Sequence, residues 1–222
     1  MINAQLIADQ FAANGYFVVM PDLFHGDPIP LNRPGDFDIQ RWLKGEYAEK
    51  KIPHLPPTVD PIIDTCLVSM RTEHNCKKIG AVGYCFGAKY VIRHLRPEFG
   101  KIDVGFVAHP SFVDEAELMD IKGPLAIAAA ETDEIFPKEK RHRSEEILKE
   151  MGAIYQINLY SGMHSEFFLV HRGHVVKRYV LTTFPGVSHG FAVRGDPAKQ
   201  VERYAKETAF LQALQWFEEY LK

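Results

Sequence analysis

The sequence predicts an α/β fold in which helices flank a mostly parallel, doubly wound sheet. Short uninterrupted apolar runs, typical of strands buried on both faces, alternate along the chain with amphipathic or charged segments typical of helices. The chain has 222 residues, of which 46% are hydrophobic and 25% charged, as in ordinary globular proteins. Because it has no internal repeat and no long linker, we expect residues 1–222 to form a single domain.

The first part of the chain predicts three helices and one strand. An amphipathic helix is expected over residues 2–13, since apolar residues recur at helical spacing and Asn14-Gly15 closes the segment. The apolar run at 16–20 predicts a strand. A loop rich in Pro and Gly then leads to a short polar helix at 36–47, and prolines mark the start of a helix over 56–75.

The rest of the chain alternates strands and helices more regularly. Four apolar runs predict buried strands at 79–84, 104–108, 125–130 and 155–160. Helices are predicted at 88–95 and 138–151, and Asp196-Pro197 supplies an N-cap and a first-turn proline for a terminal helix.

Composition argues against several classes of protein. A net charge of −3 leaves no basic surface for nucleic acid or an anionic membrane, and no apolar run reaches the roughly 20 residues that span a bilayer. The N-terminus carries Asp9 and does not resemble a signal peptide. The three cysteines cannot form a disulfide framework, so we expect a cytoplasmic protein without membrane or nucleic-acid partners. No dinucleotide or P-loop motif predicts a cofactor.

The segment Gly83-Tyr84-Cys85-Phe86-Gly87 lies between a predicted strand and a predicted helix. A sharp turn there would hold Cys85 over the helix N-terminus, where the dipole favours a thiolate, and flanking glycines would avoid Cβ clashes. The N–H of Phe86 could then face a developing oxyanion, and Tyr84 could contact substrate. The motif thus predicts a nucleophile elbow with cysteine in place of serine; the alternative is a structural cysteine packed between two glycines.

An elbow of this kind predicts an acid after a later strand and a histidine before the last helix. Asp133 is the preferred acid, ahead of its neighbours Glu131 and Glu134, because it lies in the turn after the 125–130 strand. His189, in Ser188-His189-Gly190, occupies the histidine position. Taken alone, a single aspartate is more often a helix N-cap or a surface carboxylate, so the assignment depends on its place in the chain order.

The other histidines give weaker signals. His109 follows the 104–108 strand and either lines a substrate pocket or packs in the core. His171 and His174 have the spacing of a metal pair, but no third ligand stands at a suitable distance in sequence. We therefore predict no metal site.

Together these motifs resemble the dienelactone hydrolase family, an α/β-hydrolase family, and in particular its fungal members. The segments that carry the resemblance cover nearly the whole chain except residues 163–186. They are Ala8–Ala12 with Gly15-Tyr16, Pro21–Phe24, Gly83–Lys89, Ala108–Phe112, Glu131–Asp133 with Phe136-Pro137, and His189–Phe191 with Arg194-Gly195.

The resemblance implies hydrolysis of a small ester or lactone through a thioester. In that chemistry Cys85 attacks the carbonyl, His189 carries the proton and Asp133 holds the imidazole. The resemblance also implies that the N–H of Phe86 supplies half of the oxyanion hole. Arg194 falls near a family arginine that binds the substrate carboxylate, or else is a solvated loop residue.

Two departures from the family pattern stand out. The strands expected before residue 2 are missing, together with the loop that supplies a second oxyanion N–H, so we interpret the chain as N-terminally truncated. A catalytically impaired hydrolase that acts at most as a binding protein is therefore the alternative function.

The second departure is the segment 163–186, which separates Gly162 from Val187. Excising it restores the family sequence, and its edges can be encoded as short fungal splice sequences. We interpret it as a translated intron; the alternative is a surface hairpin that pairs residues 167–170 with 175–180.

Overall fold

The computed structural model describes residues 2–29, 33–99, 101–161, 166–171, 174–179 and 186–221. The chain divides into two compact units, Met1–Lys77 and Lys78–Lys222. The second unit carries the predicted nucleophile, acid and histidine.

The first unit is helical in its described residues. It contains α1 (Ile2–Ala13), α2 (Ile39–Leu43) and α3 (Pro56–Thr72). Asp38 caps α2, since its side chain accepts a hydrogen bond from the N–H of Gln40. The three predicted helices are thus confirmed, although α2 is shorter than the expected 36–47.

The strand predicted at 16–20 is wrong. Residues 16–20 have no regular secondary structure, and Phe17, Val19 and Met20 are exposed. A strand needs a neighbouring strand to satisfy its backbone, and the described part of this unit contains none. An apolar run by itself does not supply that partner.

The second unit is built on a four-stranded sheet. Its strands are β1 (Gly80–Tyr84), β2 (Val104–Ala108), β3 (Leu125–Ala130) and β4 (Tyr155–Tyr160), in that spatial order and all parallel. The central strands β2 and β3 are fully buried, as their uninterrupted apolar sequences predict. The predicted parallel α/β architecture is confirmed.

Helices cover both faces of this sheet. They are α4 (Phe86–His94), α5 (Glu115–Leu118), α6 (Lys138–Glu150), α7 (Phe191–Arg194) and α8 (Gln200–Tyr220). A Cβ on Gly80 would meet Phe217 of α8, whereas a Cβ on Gly105 would meet Val91 of α4. Gly80 pairs with Val104, and successive strand residues point to opposite faces, so α4 and α8 lie on opposite sides of the sheet.

The terminal helix begins later than predicted. Lys199 is the N-cap residue of α8, not Asp196. Asp196 instead belongs to the preceding turn: its backbone N–H donates to Glu202, and its carboxylate accepts from the N–H of Ala198. These local hydrogen bonds compete with the cap that the sequence predicts.

The segment 163–186 falls partly outside the described residues. Within it, β5 (Glu166–His171) and β6 (His174–Tyr179) form an antiparallel hairpin. This two-stranded sheet is separate from the four-stranded one. The backbone therefore matches the hairpin alternative, while the intron interpretation stays a prediction.

No helix within the described ranges is both long enough and apolar enough to cross a membrane.

Candidate active site

Cys85 occupies the sharp turn between β1 and α4. Its φ of 51° and ψ of −112° are rare for a residue with a Cβ. The N–H of Cys85 donates to the carbonyl of Ala108 (3.1 Å), and its own carbonyl accepts from the N–H of Ser111 (3.1 Å). Both partners lie at the carboxyl end of β2, so the neighbouring strand holds the strained turn. The thiol consequently stands at the N-terminal end of α4.

The two glycines of the motif differ in what they permit. A Cβ on Gly83 would lie 2.6 Å from the carbonyl oxygen of Gly87 and 2.8 Å from the Cα of Ala88, which are backbone atoms. A Cβ on Gly87 would meet nothing within 4 Å. The prediction that a glycine is needed for close backbone approach is confirmed at Gly83 and wrong at Gly87.

The structure brings Cys85, His189 and Asp133 into one hydrogen-bonded chain. The Nε2 of His189 lies 3.1 Å from the Sγ of Cys85, and its Nδ1 lies 2.8 Å from the Oδ2 of Asp133. The Asp133 side chain is fully buried, whereas 15% of the His189 side chain is exposed. One end of the imidazole is therefore fixed by a carboxylate while the other faces the thiol.

Asp133 is held in the turn after β3. Its Oδ1 accepts hydrogen bonds from the N–H groups of Ile135 and Phe136, both at 2.9 Å. This leaves Oδ2 for the His189 ring. The carboxylate is thus oriented by the backbone before it orients the histidine.

The neighbouring carboxylates, Glu131 and Glu134, are both exposed. Asp133 alone of the three is buried and bonded to the His189 ring. Asp133 was preferred over these two glutamates in the sequence because of its position in the turn.

His189 approaches Asp133 through a short piece of parallel pairing. Ser188 forms an isolated bridge with Thr132, and the N–H of His189 donates to the carbonyl of Thr132 (3.2 Å). The loop before α7 therefore continues the sheet at the carboxyl end of β3. Neither α7 nor this bridge was predicted from the sequence.

The hydrogen bonds shift the pKa of each of the three groups. Burial raises the pKa of Cys85, but hydrogen bonds from His189 and Ser111 outweigh it, and the net pKa lies below the ordinary thiol value. Burial lowers the pKa of His189, yet its bonds to Asp133 and Cys85 raise it to about 9. Burial also raises the pKa of Asp133, and the His189 bond again reverses the sign, so that carboxyl titrates below its usual range. The favoured state is a thiolate beside an imidazolium.

His109 is buried next to the His189 ring. It is 1% exposed, and the two ring centroids lie 5.0 Å apart in an edge-on arrangement. Neither ring nitrogen of His109 has a hydrogen-bond partner among the described residues. Burial lowers its pKa to about 3, so this imidazole is neutral at physiological pH.

The remaining predicted site residues surround this centre. Tyr84 precedes the nucleophile, with its ring centroid 6.1 Å from that of His109. Phe86 is buried at the start of α4, and its N–H helps to lower the pKa of Cys85. Arg194 is exposed at the end of α7, and its Nη2 lies 3.4 Å from the carbonyl oxygen of His189.

Ser111 is a site residue that the sequence reasoning missed. Its Oγ lies 3.2 Å from the Sγ of Cys85, and the residue is 1% exposed. A usable signal was present: Ser111 lies three residues after the end of β2, the strand next to the elbow strand. The carboxyl ends of neighbouring parallel strands meet at one edge of a sheet, so a polar residue there is a site candidate.

A metal would have to compete with the hydrogen bonds of this site. Within the part of the chain that the structure describes, potential ligand atoms of Cys85, His109 and His189 lie within 4.8 Å of one another. Two of those atoms, the Cys85 thiol and the His189 Nε2, already bond to each other. The side chains of His171 and His174, the pair considered in the sequence, lie outside the described residues.

A model of the dienelactone hydrolase family matches residues 1–179. The chain belongs to the dienelactone hydrolase family. It is therefore a hydrolase of the ester or lactone class, and the resemblance read from the motifs is confirmed.

Fungal members of this dienelactone hydrolase family are close in sequence. The hydrolase tropI of Talaromyces stipitatus is 59% identical over 99% of this chain and 76% of its own length. The hydrolase pyvD of Aspergillus violaceofuscus is 47% identical over 100% of this chain and 77% of its own length. A crystal structure described as a putative dienelactone hydrolase from Klebsiella pneumoniae has a TM-score of 0.67 at 14% identity, covering 99% of this chain and 82% of that one. That likeness supports the shared α/β-hydrolase fold.

Proposed function

We propose that this member of the dienelactone hydrolase family cleaves a small carboxylic ester or lactone with a Cys85-His189-Asp133 triad, through a thioester intermediate. The main support is the continuous chain of hydrogen bonds from the Cys85 Sγ through the His189 imidazole to the buried Asp133 carboxylate. A thiolate is the nucleophilic form of cysteine, and the shifted pKa values favour it.

The first half-reaction acylates the cysteine. The Cys85 thiolate forms a bond to the carbonyl carbon, and the carbonyl electron pair moves to oxygen. When the tetrahedral intermediate collapses, the C–O bond to the alcohol breaks, and the His189 imidazolium gives its proton to the departing alkoxide. In a lactone the released hydroxyl stays on the acyl chain.

The second half-reaction restores the enzyme. Neutral His189 takes a proton from water, the resulting hydroxide adds to the thioester carbon, and the C–S bond breaks with its electron pair returning to Sγ. Asp133 keeps Nδ1 protonated throughout, so that Nε2 is the nitrogen that exchanges protons. A free acid leaves, and the thiolate–imidazolium pair is re-formed.

Backbone N–H groups at the start of α4 support the oxyanion in this scheme. Phe86, the residue after the nucleophile, is the expected donor, because the following N–H fills that role at a nucleophile elbow. We assign substrate contacts to Tyr84, His109 and Arg194. Arg194 is an exposed cation that contacts the backbone carbonyl of His189, and it suits a substrate carboxylate.

Hydrolysis of a p-nitrophenyl ester by the parent and by Cys85→Ala tests the proposal. We expect the parent to release p-nitrophenol and Cys85→Ala to be inactive, while the control Cys66→Ala keeps the parent rate. Cys66 suits as control because it is half-buried in the first unit and burial raises its pKa. Rapid quenching and mass spectrometry should detect the acyl group on Cys85. Activity in Cys85→Ala would contradict the triad, and binding of the ester without turnover would favour an impaired hydrolase that only binds.

A further inference from the structure

A serine hydroxyl contacts the reacting sulfur from the side of β2. The Oγ of Ser111 lies 3.2 Å from the Sγ of Cys85, close to the 3.1 Å that separates Sγ from the Nε2 of His189. At 1% exposure, Ser111 is shielded from solvent, so its hydroxyl is not free to exchange this partner for bulk water.

The backbone around Ser111 is held in a strained turn. His109 has a φ of 39° and Phe112 a φ of 60°, both rare for residues with a side chain. Such strain persists only where surrounding structure enforces it, and it is concentrated at functional sites. Here the N–H of Ser111 donates to the carbonyl of Cys85, while the N–H of Cys85 donates to Ala108. The serine and the cysteine therefore fix each other's backbone.

The far side of the turn is fixed by α4. The Nζ of Lys89 donates to the carbonyl of Phe112 (2.8 Å), and it also pairs with Asp114 and Glu117 at 2.8 and 2.9 Å. Glu117 is buried and bonded in turn to Arg93. Ser111 thus lies between two anchored points, and its Oγ is preorganised towards the sulfur.

The direction of the hydrogen bond follows from the charge on sulfur. In the thiol state either atom could donate, but a thiolate has no proton, so the Ser111 hydroxyl must then be the donor. Hydrogen bonds to an ionised partner are about twice as strong as neutral ones. The contact therefore favours the thiolate over the thiol.

We propose that Ser111 is a further catalytic residue of this hydrolase, whose hydroxyl donates to the Cys85 thiolate before attack and to the same sulfur as it leaves the thioester. This inference rests on the proposed triad. During deacylation the C–S bond breaks and its electron pair returns to Sγ. There the Ser111 hydroxyl, as a hydrogen-bond donor, stabilises the new negative charge. No proton is transferred from Ser111 in either step.

Other groups that face the sulfur remain when the hydroxyl is removed. His189 faces it from the loop before α7, with the Asp133 carboxylate behind the ring and Arg194 on α7. His109 lies beside His189 after β2 and is neutral because burial lowers its pKa to about 3. Tyr84 directly precedes Cys85 at the end of β1 and stays neutral, since burial raises its pKa. A change in Ser111→Ala can thus be assigned to the missing hydroxyl.

The expected effect of Ser111→Ala on the reaction rate of the Cys85 sulfur changes sign with pH. Without the Ser111 donor the thiolate is less stable, so Ser111→Ala should have a Cys85 pKa about one unit higher and react about tenfold more slowly at pH values below both thiol pKa values. A thiolate of higher pKa is intrinsically more nucleophilic, so above both pKa values the variant should match or exceed the parent. A merely structural defect would lower the rate at every pH.

The test is the pH dependence of Cys85 alkylation by iodoacetamide in a Cys66→Ala/Cys76→Ala background. Ser111→Ala should show the raised pKa and the crossing rates, while Ser111→Thr, which keeps the hydroxyl, should follow the parent. Ser144→Ala is the matched control, because that hydroxyl donates to the carbonyl of Lys140 within α6. It should also follow the parent.

Superimposable profiles for the parent and Ser111→Ala would overturn the proposal. A uniform loss at all pH values, or an equal shift in Ser111→Thr, would overturn it as well. Alkylation needs no turnover, whereas the triad is tested by ester hydrolysis in Cys85→Ala. Failure of the Ser111 proposal and failure of the proposed function are therefore separable.

Discussion

The Nε2 of His189 lies 3.1 Å from the Sγ of Cys85, although 104 positions separate the two residues along the chain. The contact joins the elbow after β1 to the loop before α7. Because each partner shifts the pKa of the other, they behave as one ionisable unit.

This pair should define a pH window for thiolate reactivity. The pKa of Cys85 is lowered and that of His189 is raised to about 9, and both shifts favour the thiolate–imidazolium pair. We expect the ultraviolet thiolate absorbance, measured against Cys85→Ala, to persist below the ordinary thiol pKa of 9.0, because the pKa of Cys85 is lowered. In His189→Gln the absorbance should appear only near or above that ordinary value. An unchanged titration in His189→Gln would contradict the ion pair.

Replacing Asp133 by Asn should reduce catalysis while keeping the volume of the side chain. The amide can present its NH2 group to Nδ1 and favour the wrong imidazole tautomer, so we expect kcat to fall about 10²–10⁴-fold. Glu134→Gln is the control, because Glu134 is an exposed neighbour in the same turn. A loss confined to KM would argue against the orienting role.

The same variant should change how stability depends on pH. Since the folded pKa of Asp133 is lowered, its stabilisation is present above the unfolded value and is lost as pH falls through the folded one. The raised pKa of His189 adds stabilisation below its ordinary value, which is lost as pH rises through about 9. The melting temperature of Asp133→Asn should therefore lie furthest below that of the parent near neutrality. An equal deficit at acidic pH would contradict this linkage.

The two glycines of the elbow should respond oppositely to alanine. Gly83→Ala places a Cβ against backbone atoms at 2.6–2.8 Å, so we expect about 1–3 kcal/mol of destabilisation and a loss of activity. Gly87→Ala meets nothing within 4 Å and lies in α4, where alanine is favoured by about 0.5–1 kcal/mol. Urea unfolding measures both. Equal destabilisation would show that close approach is not what selects glycine at position 83.

Arg194→Gln should weaken binding of substrates that carry a carboxylate. The guanidinium is exposed, so solvent screening limits the expected rise in KM to about two- to fivefold, with little change in kcat. A neutral ester of the same shape should show no such rise. Arg203→Gln is the matched control, since Arg203 is exposed on α8. A loss that is equal for charged and neutral esters would argue against carboxylate recognition.

A variant lacking residues 163–186 should fold and keep the triad. The consecutive residues Glu131 and Thr132 bond through their N–H groups to the carbonyls of Tyr160 and Val187, at 2.9 and 3.1 Å, so described residues on both sides of the deleted segment bond to the same turn. Joined directly, Gly162 and Val187 leave three residue steps from Tyr160, a reach of about 10 Å. Activity and melting temperature of the deletion variant check this. Sequencing the mature transcript tests the intron interpretation, which a message that retains these codons throughout would refute.

The sequence alone was sufficient for the strands of the main sheet and for the elbow. Strands β2, β3 and β4 have the predicted bounds, because uninterrupted apolar runs reflect burial on both faces, a property carried by each segment itself. Cys85 could be singled out because it directly follows a strand, and Asp133 because it lies in the turn after one. The position of a residue relative to the strand before it can be read from the sequence without knowledge of the fold.

Only the tertiary structure decided which residues meet. The apolar run at 16–20 has no strand partner among the described residues of its unit, and Asp196 is drawn into a turn, so these local signals misled. The Ser111–Cys85 contact depends on how β1 and β2 align, and the open space at Gly87 depends on what surrounds the start of α4. Apolar periodicity records which face of a segment is buried. It does not encode the register and spacing of segments that are distant in the sequence. That register and spacing determine the interatomic distances on which the proposed catalysis depends.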